Sequence, residues 1–286
     1  MKKSLYDYGD AHTGETIYII GSSPSINYLS ESDKEFLKSK ITIGVNLAFE
    51  GIENMSYAVS AHIANAVYAF EHGAPNMPVF VDFGGSKKKE AFSYMKDFFW
   101  DDDRIVEFIS SPPHTPLQNK NNVHDTSLAG NTSILLLATH LAYIMGAQKI
   151  VYMGFEEICH AHFWNFNKVL EKKMRERIEE IIESRKYWND RFYNSGNMDV
   201  HYNVHRELEL LLGKVPGFTT FFDLTPEEYQ KPFWSANQPP PSHNIQNFSR
   251  YINFLNQEGI KTSTLSHNGV TIEAGCKKFS LETNKS

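Results

Sequence analysis

Short apolar runs recur along the first half of the chain, each of them bounded by polar or turn-forming residues. They are rich in β-branched and aromatic residues and extend over about four to eight positions, which is typical of strands buried on both faces of a parallel sheet. The predicted strands are Thr16–Ile20, Ile41–Val45, Ser56–Ser60, Pro78–Asp82, Arg104–Ile109 and Lys149–Met153, and a further strand is predicted at Ile260–Leu265.

Helical patterns separate several of these strands. They are predicted at Ser32–Lys38, Lys87–Phe99, Ser133–Met145 and Ile245–Glu258. Ser133–Met145 is apolar nearly all round, ends at Gly146 and leads directly into a strand, as a helix packed on a sheet does. Strands that alternate with helices favour an α/β fold, here a single Rossmann-like domain with a mainly parallel sheet covered on both faces.

The pattern of apolar and polar residues changes from about Phe163 onwards. A long charged helical pattern, Asn165–Asp190, is followed by a second predicted helix, Val204–Leu212, and then by Pro216–His243, which holds six of the 12 prolines. Irregular segments of that length are usually lids, binding loops or linkers. We therefore expect residues 1–155 and 243–286 to form the α/β core and residues 156–242 to form an inserted helical and proline-rich lid.

Composition sets limits on partners and location. Acidic residues outnumber basic ones, 34 to 28, and the net charge of −6 offers no general attraction to nucleic-acid phosphates or anionic lipid. Cys159 and Cys276 are too few for a disulfide framework and lack the paired spacing of a zinc site. Because there is no signal-peptide pattern and no apolar stretch of about 18 residues, we expect a cytoplasmic protein without a membrane span. A homo-oligomer is compatible with this composition.

The turn Gly21-Ser22-Ser23-Pro24-Ser25 follows the first predicted strand directly. Turns beyond the carboxyl end of a strand are where α/β sheets bind ligands, glycine lets the backbone approach a phosphate closely, and the serines add hydroxyl donors. The turn contains neither a GxGxxG nor a Walker A motif, so its composition also fits a plain turn.

A second polar turn, Gly130-Asn131-Thr132-Ser133, opens the apolar helix. The unpaired N–H groups and the dipole of a helix N-terminus favour an anionic or polar ligand, although Asn131 or Thr132 could equally serve only as a structural N-cap. Asn46 and Ser60 end the next two predicted strands and would lie along the same crevice.

Histidine and aspartate supply further candidates. His160 and His162 have the spacing of two metal ligands on one strand face, but no third ligand follows at a matching distance, so no zinc site is predicted. His243 stands between the proline-rich segment and a core helix, where a general base could meet substrate as a lid closes. Asp101-Asp102-Asp103 resembles the metal-binding Asp-x-Asp of many nucleotide-sugar enzymes, yet its position between helix and strand favours an ordinary connector.

Taken in order, these pieces resemble the bacterial sialyltransferases of glycosyltransferase family 42 and the wider set of proteins that share their nucleotide-binding core. That family begins with a strand and a Gly-Asn-Gly-Pro-Ser turn, which Gly21–Ser25 matches at glycine, proline and serine, and an asparagine after its second strand corresponds to Asn46. Its Leu-Gly-x-x-x-Ile-x-x-x-Gly-x-Asp element is similar to the stretch that ends at Gly154-Phe155-Glu156. A catalytic histidine before a helix ending in Phe-Leu corresponds to His243 and Phe254-Leu255.

The resemblance implies a GT-A-like variant of the Rossmann-like core and a metal-independent, inverting glycosyltransferase without a cofactor. His243 would deprotonate the acceptor hydroxyl. His160 and His162 would take the place of the family's tyrosines at the leaving phosphate. The expected nucleotide contacts are Gly21, Ser22, Ser23, Ser25, Asn46, Ser60, Gly130, Asn131, Thr132, Ser133 and Glu156.

The donor and the acceptor stay open at this point. CMP-sialic acid is the family's donor, and because Ser22 and Glu156 replace an Asn and an Asp of the family, a UDP-sugar also fits. The acceptor would be a glycan or, against the negative net charge, a base in nucleic acid. Two other classes remain: a metal-dependent pyrophosphokinase-type transferase, since some proteins with this core are described as pterin pyrophosphokinases, and a nucleotide-binding protein without catalysis.

Overall fold

The computed structural model describes residues 3–61, 63–82, 102–111, 127–129, 133–155, 163–183, 242–266 and 269–281. Within these residues nine strands form one sheet, and every neighbouring pair is parallel. The strands are β1 (Thr16–Ile20), β2 (Ile41–Val45), β3 (Tyr57–Ser60), β4 (Val79–Asp82), β5 (Ile105–Ser111), β6 (Ser127–Ala129), β7 (Lys149–Met153), β8 (Lys261–Thr264) and β9 (Lys277–Lys278). The predicted α/β fold with a parallel, Rossmann-like sheet is confirmed.

Six α-helices accompany the sheet in the described residues: α1 (Glu31–Lys38), α2 (Ile63–His72), α3 (Ile134–Ile144), α4 (Lys168–Glu183), α5 (Ser242–Gln257) and α6 (Val270–Glu273). Short 3₁₀ turns are present at Leu5–Tyr8, Pro24–Tyr28, Ala48–Glu50 and Phe163–Phe166. The predicted helices Lys87–Phe99 and Val204–Leu212, the end of Asn165–Asp190 and the segment Pro216–Pro241 lie outside the described residues.

The strand order is β6-β5-β4-β3-β2-β1-β7-β8-β9. From β1 the chain therefore steps outwards to β6 in one direction and then returns to the other side of β1 for β7. Right-handed crossovers require the connecting helices to change faces at such a reversal. The reversal between β1 and β7 is the topological switch point, and crevices beyond the carboxyl ends of strands at this point are the usual ligand sites of open α/β sheets.

The two faces of the sheet carry separate hydrophobic cores. On the first face, Tyr18 and Val151 of the strands pack with Leu37 of α1 and Met174 of α4. On the second face, strand side chains pack under α3 and α5, and every residue of α3 from Leu135 to Ile144 is buried. This burial explains why α3 is apolar nearly all round, since neighbouring elements surround it.

Three differences from the sequence-based expectations concern the elements around the carboxyl edge of the sheet. Helix α5 begins at Ser242 rather than Ile245, so His243 lies inside its first turn rather than on a loop before it. Pro24 occupies the first turn of a 3₁₀ helix, so Ser25 belongs to that helix and not to an open turn. Helix α2 was not predicted, because it follows β3 almost immediately and its first residues are not typical N-caps.

Candidate functional site

The turns that follow β1 and β7 pack directly against each other at the switch point. The Gly21 N–H donates to the Met153 carbonyl at 2.8 Å, and the Ser23 N–H donates to the Gly154 carbonyl at 3.1 Å. A Cβ on Gly21 would collide with the Gly154 carbonyl oxygen and would lie 2.8 Å from Cε1 of Phe155. Gly154 has a positive φ of 72°, a conformation that glycine adopts without strain. Both glycines are therefore needed to hold these two turns together.

The serines of the first turn differ in accessibility. Ser22 is buried, and its carbonyl accepts the Phe163 N–H at 2.9 Å. The side-chain amide of Asn27 donates to the Phe163 carbonyl at 3.0 Å, which ties the same turn to the chain that follows β7. Ser23 and Ser25 are only partly buried. Their hydroxyl groups are therefore partly accessible to a ligand, whereas Ser22 is buried.

Asn46 and Ser60 form a hydrogen-bonded pair across the ends of β2 and β3. Asn46 has a φ of 54°, in the left-handed region that asparagine tolerates better than most residues, and its N–H donates to Val59 O at 2.9 Å. The Ser60 hydroxyl, which is almost completely buried, donates to Asn46 Oδ1 at 3.1 Å. This bond fixes the plane of the Asn46 amide, so that its Nδ2 donor points away from Ser60.

Two buried polar residues near this edge were missed by the sequence analysis. Asp82 ends β4, one residue beyond the position that pairs with Ser60, and is 3% exposed. Asn65, in the first turns of α2, is 2% exposed, and its Oδ1 accepts no hydrogen bond within the structure as described. A polar residue at the carboxyl end of an apolar strand, such as Asp82 after Val79–Val81, is the signal that could have indicated the first of them.

The N-termini of α3 and α5 lie at the same edge of the sheet. Each of these helices leads into a parallel strand, β7 or β8, and so runs antiparallel to the strands and begins at their carboxyl ends. Ser133 is the N-cap residue of α3, with extended backbone angles. His243 is the second residue of α5. The fold thus brings Gly21, Asn46, Ser60, Ser133 and the backbone of His243 to one edge.

Other predicted site residues lie outside the described residues, namely Asp101, Gly130, Asn131, Thr132, Glu156, His160 and His162. Asp102 is described, and it accepts hydrogen bonds from the backbone N–H and the guanidinium of Arg104, a local role that suits the connector interpretation. In the described ranges, no group of three His, Cys, Asp or Glu side chains could hold a metal ion. Among the same residues, no helix is long and apolar enough to cross a membrane.

The core beneath the site contains titratable groups that stay neutral. Burial lowers the pKa of His140 to about 4. Burial also raises the pKa of Tyr152 well above its usual value, while the Thr139 hydroxyl donates to the Tyr152 oxygen at 3.3 Å. A neutral imidazole and a neutral phenol are compatible with an apolar core, and neither group adds charge under the candidate site.

Neither a protein-family model nor a curated protein matches the sequence. Fold and site together define the class: an α/β protein with a parallel Rossmann-like sheet whose carboxyl edge, at and beside the switch point between β1 and β7, carries polar groups fixed by hydrogen bonds.

Proposed function

We propose that the protein is a metal-independent, inverting glycosyltransferase that binds a nucleotide-sugar at the carboxyl edge of its sheet. The observation that supports this proposal best is the position of His243, in the first turn of α5, at the same edge as the Gly21 turn and the Asn46–Ser60 pair. A general base and a nucleotide site must meet in this way for a sugar to pass from donor to acceptor.

In this proposal the nucleotide contacts the backbone of Gly21 to Ser23 and the Nδ2 donor of Asn46. The donor's phosphates lie near the N-terminus of α3, beside Ser133, where unpaired N–H groups and the helix dipole favour negative charge. Asn131, Thr132 and Glu156 complete the nucleotide contacts, and His160 or His162 donates a hydrogen bond to the departing phosphate.

The reaction that we propose is a single displacement. His243 accepts the proton of an acceptor hydroxyl, and the resulting oxygen nucleophile attacks the anomeric carbon from the face opposite the nucleotide. The bond between the anomeric carbon and the phosphate oxygen breaks, the nucleotide leaves with the electron pair, and configuration inverts. A helix N-terminus disfavours the positively charged imidazolium, which suits a histidine that must start the reaction neutral.

A thermal-shift panel of CMP, UDP, GDP and ADP tests the donor class. A ligand present at about 100 times its Kd stabilises a fold by roughly 2.7 kcal/mol, so the correct nucleotide should raise Tm while the others do not. CMP would point to a sialic-acid-type donor and UDP to a hexose or pentose donor. If no nucleotide shifts Tm, the proposed site is wrong.

The role of His243 is tested with His243→Ala, using release of nucleotide from the donor identified by the panel. We expect nucleotide binding to be retained and turnover to fall by about 10²–10⁴-fold, the usual contribution of a general base. His72→Ala is the matched control, because His72 lies in the last turn of α2 and should keep full turnover. Unchanged turnover in His243→Ala would remove the base from this mechanism.

A second candidate, a metal-dependent pyrophosphokinase-type transferase, is favoured by one observation, the buried Asp82 carboxylate at the end of β4. Carboxylates are preferred ligands of Mg²⁺ at phosphate-transfer sites. Treatment with EDTA separates the two candidates: full activity supports the glycosyltransferase, whereas activity that returns only with Mg²⁺ and is lost in Asp82→Asn supports the alternative. For the glycosyltransferase we further propose a glycan acceptor ahead of a nucleic-acid base, and a cytoplasmic location.

A further inference from the structure

A cavity of about 480 Å³ opens at the amino edge of the sheet, the edge opposite the candidate site. It lies between the C-terminal end of α1 and the first residues of β1 and β2, and its lining residues include Glu15, Tyr18, Phe36 and Lys40. The rings of Tyr18 and Phe36 meet edge to face, with centroids 6.1 Å apart. Because five strand residues span about 16 Å, this amino-edge pocket is well separated from the Gly21 turn.

A row of three lysines runs along this edge on the same face of the sheet as the pocket, and of these three Lys40 lines the pocket while Lys149 and Lys261 lie beside it. Lys149 pairs with Thr16 of β1 and with Lys261 of β8, and Lys40 lies two residues before Thr42, which pairs with Tyr18. Partners in a parallel sheet point to the same face and side chains alternate along each strand, so Lys40, Lys149 and Lys261 share the face of Tyr18.

These ammonium groups are held in place without a counterion. Lys40 Nζ lies 4.6 Å from the centre of the Phe36 ring, and Lys149 Nζ lies 4.2 Å from the centre of the Phe279 ring. In the described part of the chain, no carboxylate lies within 4.0 Å of Nζ of either lysine or of Lys261, although Lys34 and Lys38 of α1 both form ion pairs. The row is thus a positive strip without an ion-pair partner among the described residues, on a protein of net charge −6, and Glu15 is the acidic residue that lines the same pocket.

Burial and the charge of Lys261 both lower the pKa of Lys149. The two ammonium groups therefore repel each other across neighbouring strands, and a bound anion would relieve this repulsion. A ring attached to the anion would find apolar area on the partly exposed Phe36. The volume of the cavity lies within the range of roughly 300–1,000 Å³ that is usual for small-molecule sites.

We propose that the amino-edge pocket is a second binding site, for a small organic anion that carries a planar ring. The anionic group lies between Lys40 and Lys149, and the ring packs against Phe36 and the edge of Tyr18. This inference does not depend on the proposed glycosyltransferase activity, because it rests on residues at the opposite edge of the sheet.

Three probes of similar chemistry test the two halves of this proposal: benzoate, with ring and charge, benzamide, with the ring alone, and acetate, with the charge alone. The protein is titrated after ¹³C reductive methylation of its lysines, which preserves their charge, and the methyl signals are followed by NMR. We expect benzoate to shift the signals of Lys40 and Lys149 saturably, with a Kd about tenfold or more below those of benzamide and acetate. Equal affinity for benzoate and either of the other probes overturns the proposal.

Lysine variants test whether benzoate binds at the amino-edge pocket. Lys40→Met and Lys149→Met should each weaken benzoate binding about tenfold, the loss expected when one charge-assisted contact is removed. Lys172→Met is the matched control, since Lys172 is a largely exposed lysine of α4 that pairs with Glu176 at 3.7 Å, and it should bind like the wild type. Ser60→Ala, at the carboxyl edge, should also bind benzoate normally.

The salt dependence gives a measurement that is independent of folding in the variants. Raising ionic strength from about 20 mM to about 200 mM should weaken benzoate binding several-fold in the wild type, because partly exposed charges are screened over this range. Binding that resists salt, or that survives in both Lys40→Met and Lys149→Met, overturns the proposal. A loss of benzoate affinity in Lys172→Met as large as in Lys40→Met or Lys149→Met also overturns the proposal.

Discussion

Position 21 requires glycine because the carbonyl of Gly154 occupies the volume that a Cβ would need. The backbone angles at this position do not impose the requirement. Two backbone hydrogen bonds join the turns after β1 and β7 at this same contact. Packing alone thus explains why residue 21 is a glycine, although a sequence motif would assign this glycine to phosphate binding. The same close contact keeps the backbone N–H groups of the first turn in a constant arrangement.

Replacing Gly21 with alanine should lower the free energy of unfolding by about 1–3 kcal/mol or more, the range typical of overpacking. Gly259→Ala is the control, because Gly259 has a φ of 79° and nothing within 4 Å of its added Cβ. Gly259→Ala should lower the free energy of unfolding only through backbone strain, by about 1–2 kcal/mol. Urea denaturation of both variants measures the difference. If Gly21→Ala is as stable as the wild type, the close packing of the two turns is wrong.

Asn46 combines a left-handed backbone with a side-chain hydrogen bond, and the two contributions can be separated. Asn46→Gly removes the bond from Ser60 and should cost about 1 kcal/mol of stability, while Asn46→Ala adds backbone strain of about 1–2 kcal/mol. If Nδ2 binds the nucleotide, both variants should weaken nucleotide affinity by the same factor, as measured by isothermal titration with the nucleotide that stabilises the wild type.

Asn54 supplies the control for this pair of variants. It has a φ of 56°, close to that of Asn46, but it is exposed. Asn54→Ala should therefore show the same backbone strain relative to Asn54→Gly without any change in nucleotide affinity. An affinity loss in the Asn54 variants, or none in the Asn46 variants, would contradict a direct contact between Asn46 and the nucleotide.

At the scale of elements, α4, which falls in the predicted insert of residues 156–242, is attached to the core by packing and by an ion pair. Met174 and Ile178 are fully buried in the core of the first face. Arg177 donates two hydrogen bonds to the Glu71 carboxylate of α2, at 2.9 and 2.5 Å, and a third to Glu180. An apolar stripe and a two-point ion pair therefore hold α4 on α2, while the position of the domain boundary stays a prediction.

A double-mutant cycle on Arg177→Met and Glu71→Gln should give a coupling free energy of about 0.5–1 kcal/mol, at the upper end for partly exposed pairs because the geometry is bidentate. The cycle Lys172→Met with Glu176→Gln is the comparison, since that pair is more exposed and its atoms are 3.7 Å apart. Its coupling should be at most about 0.3–0.5 kcal/mol. Equal couplings, obtained from urea denaturation, would show that the Arg177 contact contributes no more than an ordinary surface pair.

The secondary-structure elements whose bounds were predicted most accurately are those with a clear local pattern of apolar and polar residues. β1, β2 and β7 match their predicted bounds, since each is a short apolar run with polar flanks. The start of α5 lies three residues before its predicted position because Ser242 and His243 read as the end of the proline-rich segment Pro216–His243, although serine is common at helix starts. β9 has only two residues and no pattern of its own, so it exists through its pairing with β8.

At the scale of the whole molecule, the candidate site draws on residues that are far apart in sequence, from Gly21 to His243. Sequence could predict Asn46 and Ser60 because parallel strands place their carboxyl ends at one edge. It could not predict that the Ser60 hydroxyl binds Asn46, or that Asn65 is buried, because these facts depend on packing. The amino-edge pocket was likewise out of reach, since its lysines are adjacent only after β7 returns beside β1.

The buried His140 makes the stability of the whole fold sensitive to acid. Its pKa is about 4 in the folded protein and near 6.5 in the unfolded chain, so between these values the unfolded chain holds a proton that the folded protein does not. The free energy of unfolding from this group should therefore fall by about 3 kcal/mol as pH drops from 7 to 4, with most of the loss between pH 6.5 and 4.

Urea denaturation at a series of pH values in wild type and His140→Gln measures this contribution. Carboxylates and His12 titrate in both proteins, and burial lowers the pKa of His12 in both, so the difference between the two curves isolates His140. We expect that difference to change by about 3 kcal/mol between pH 7 and 4, with His140→Gln losing less stability in acid. Parallel curves for His140→Gln would mean that this histidine is not buried in the folded protein.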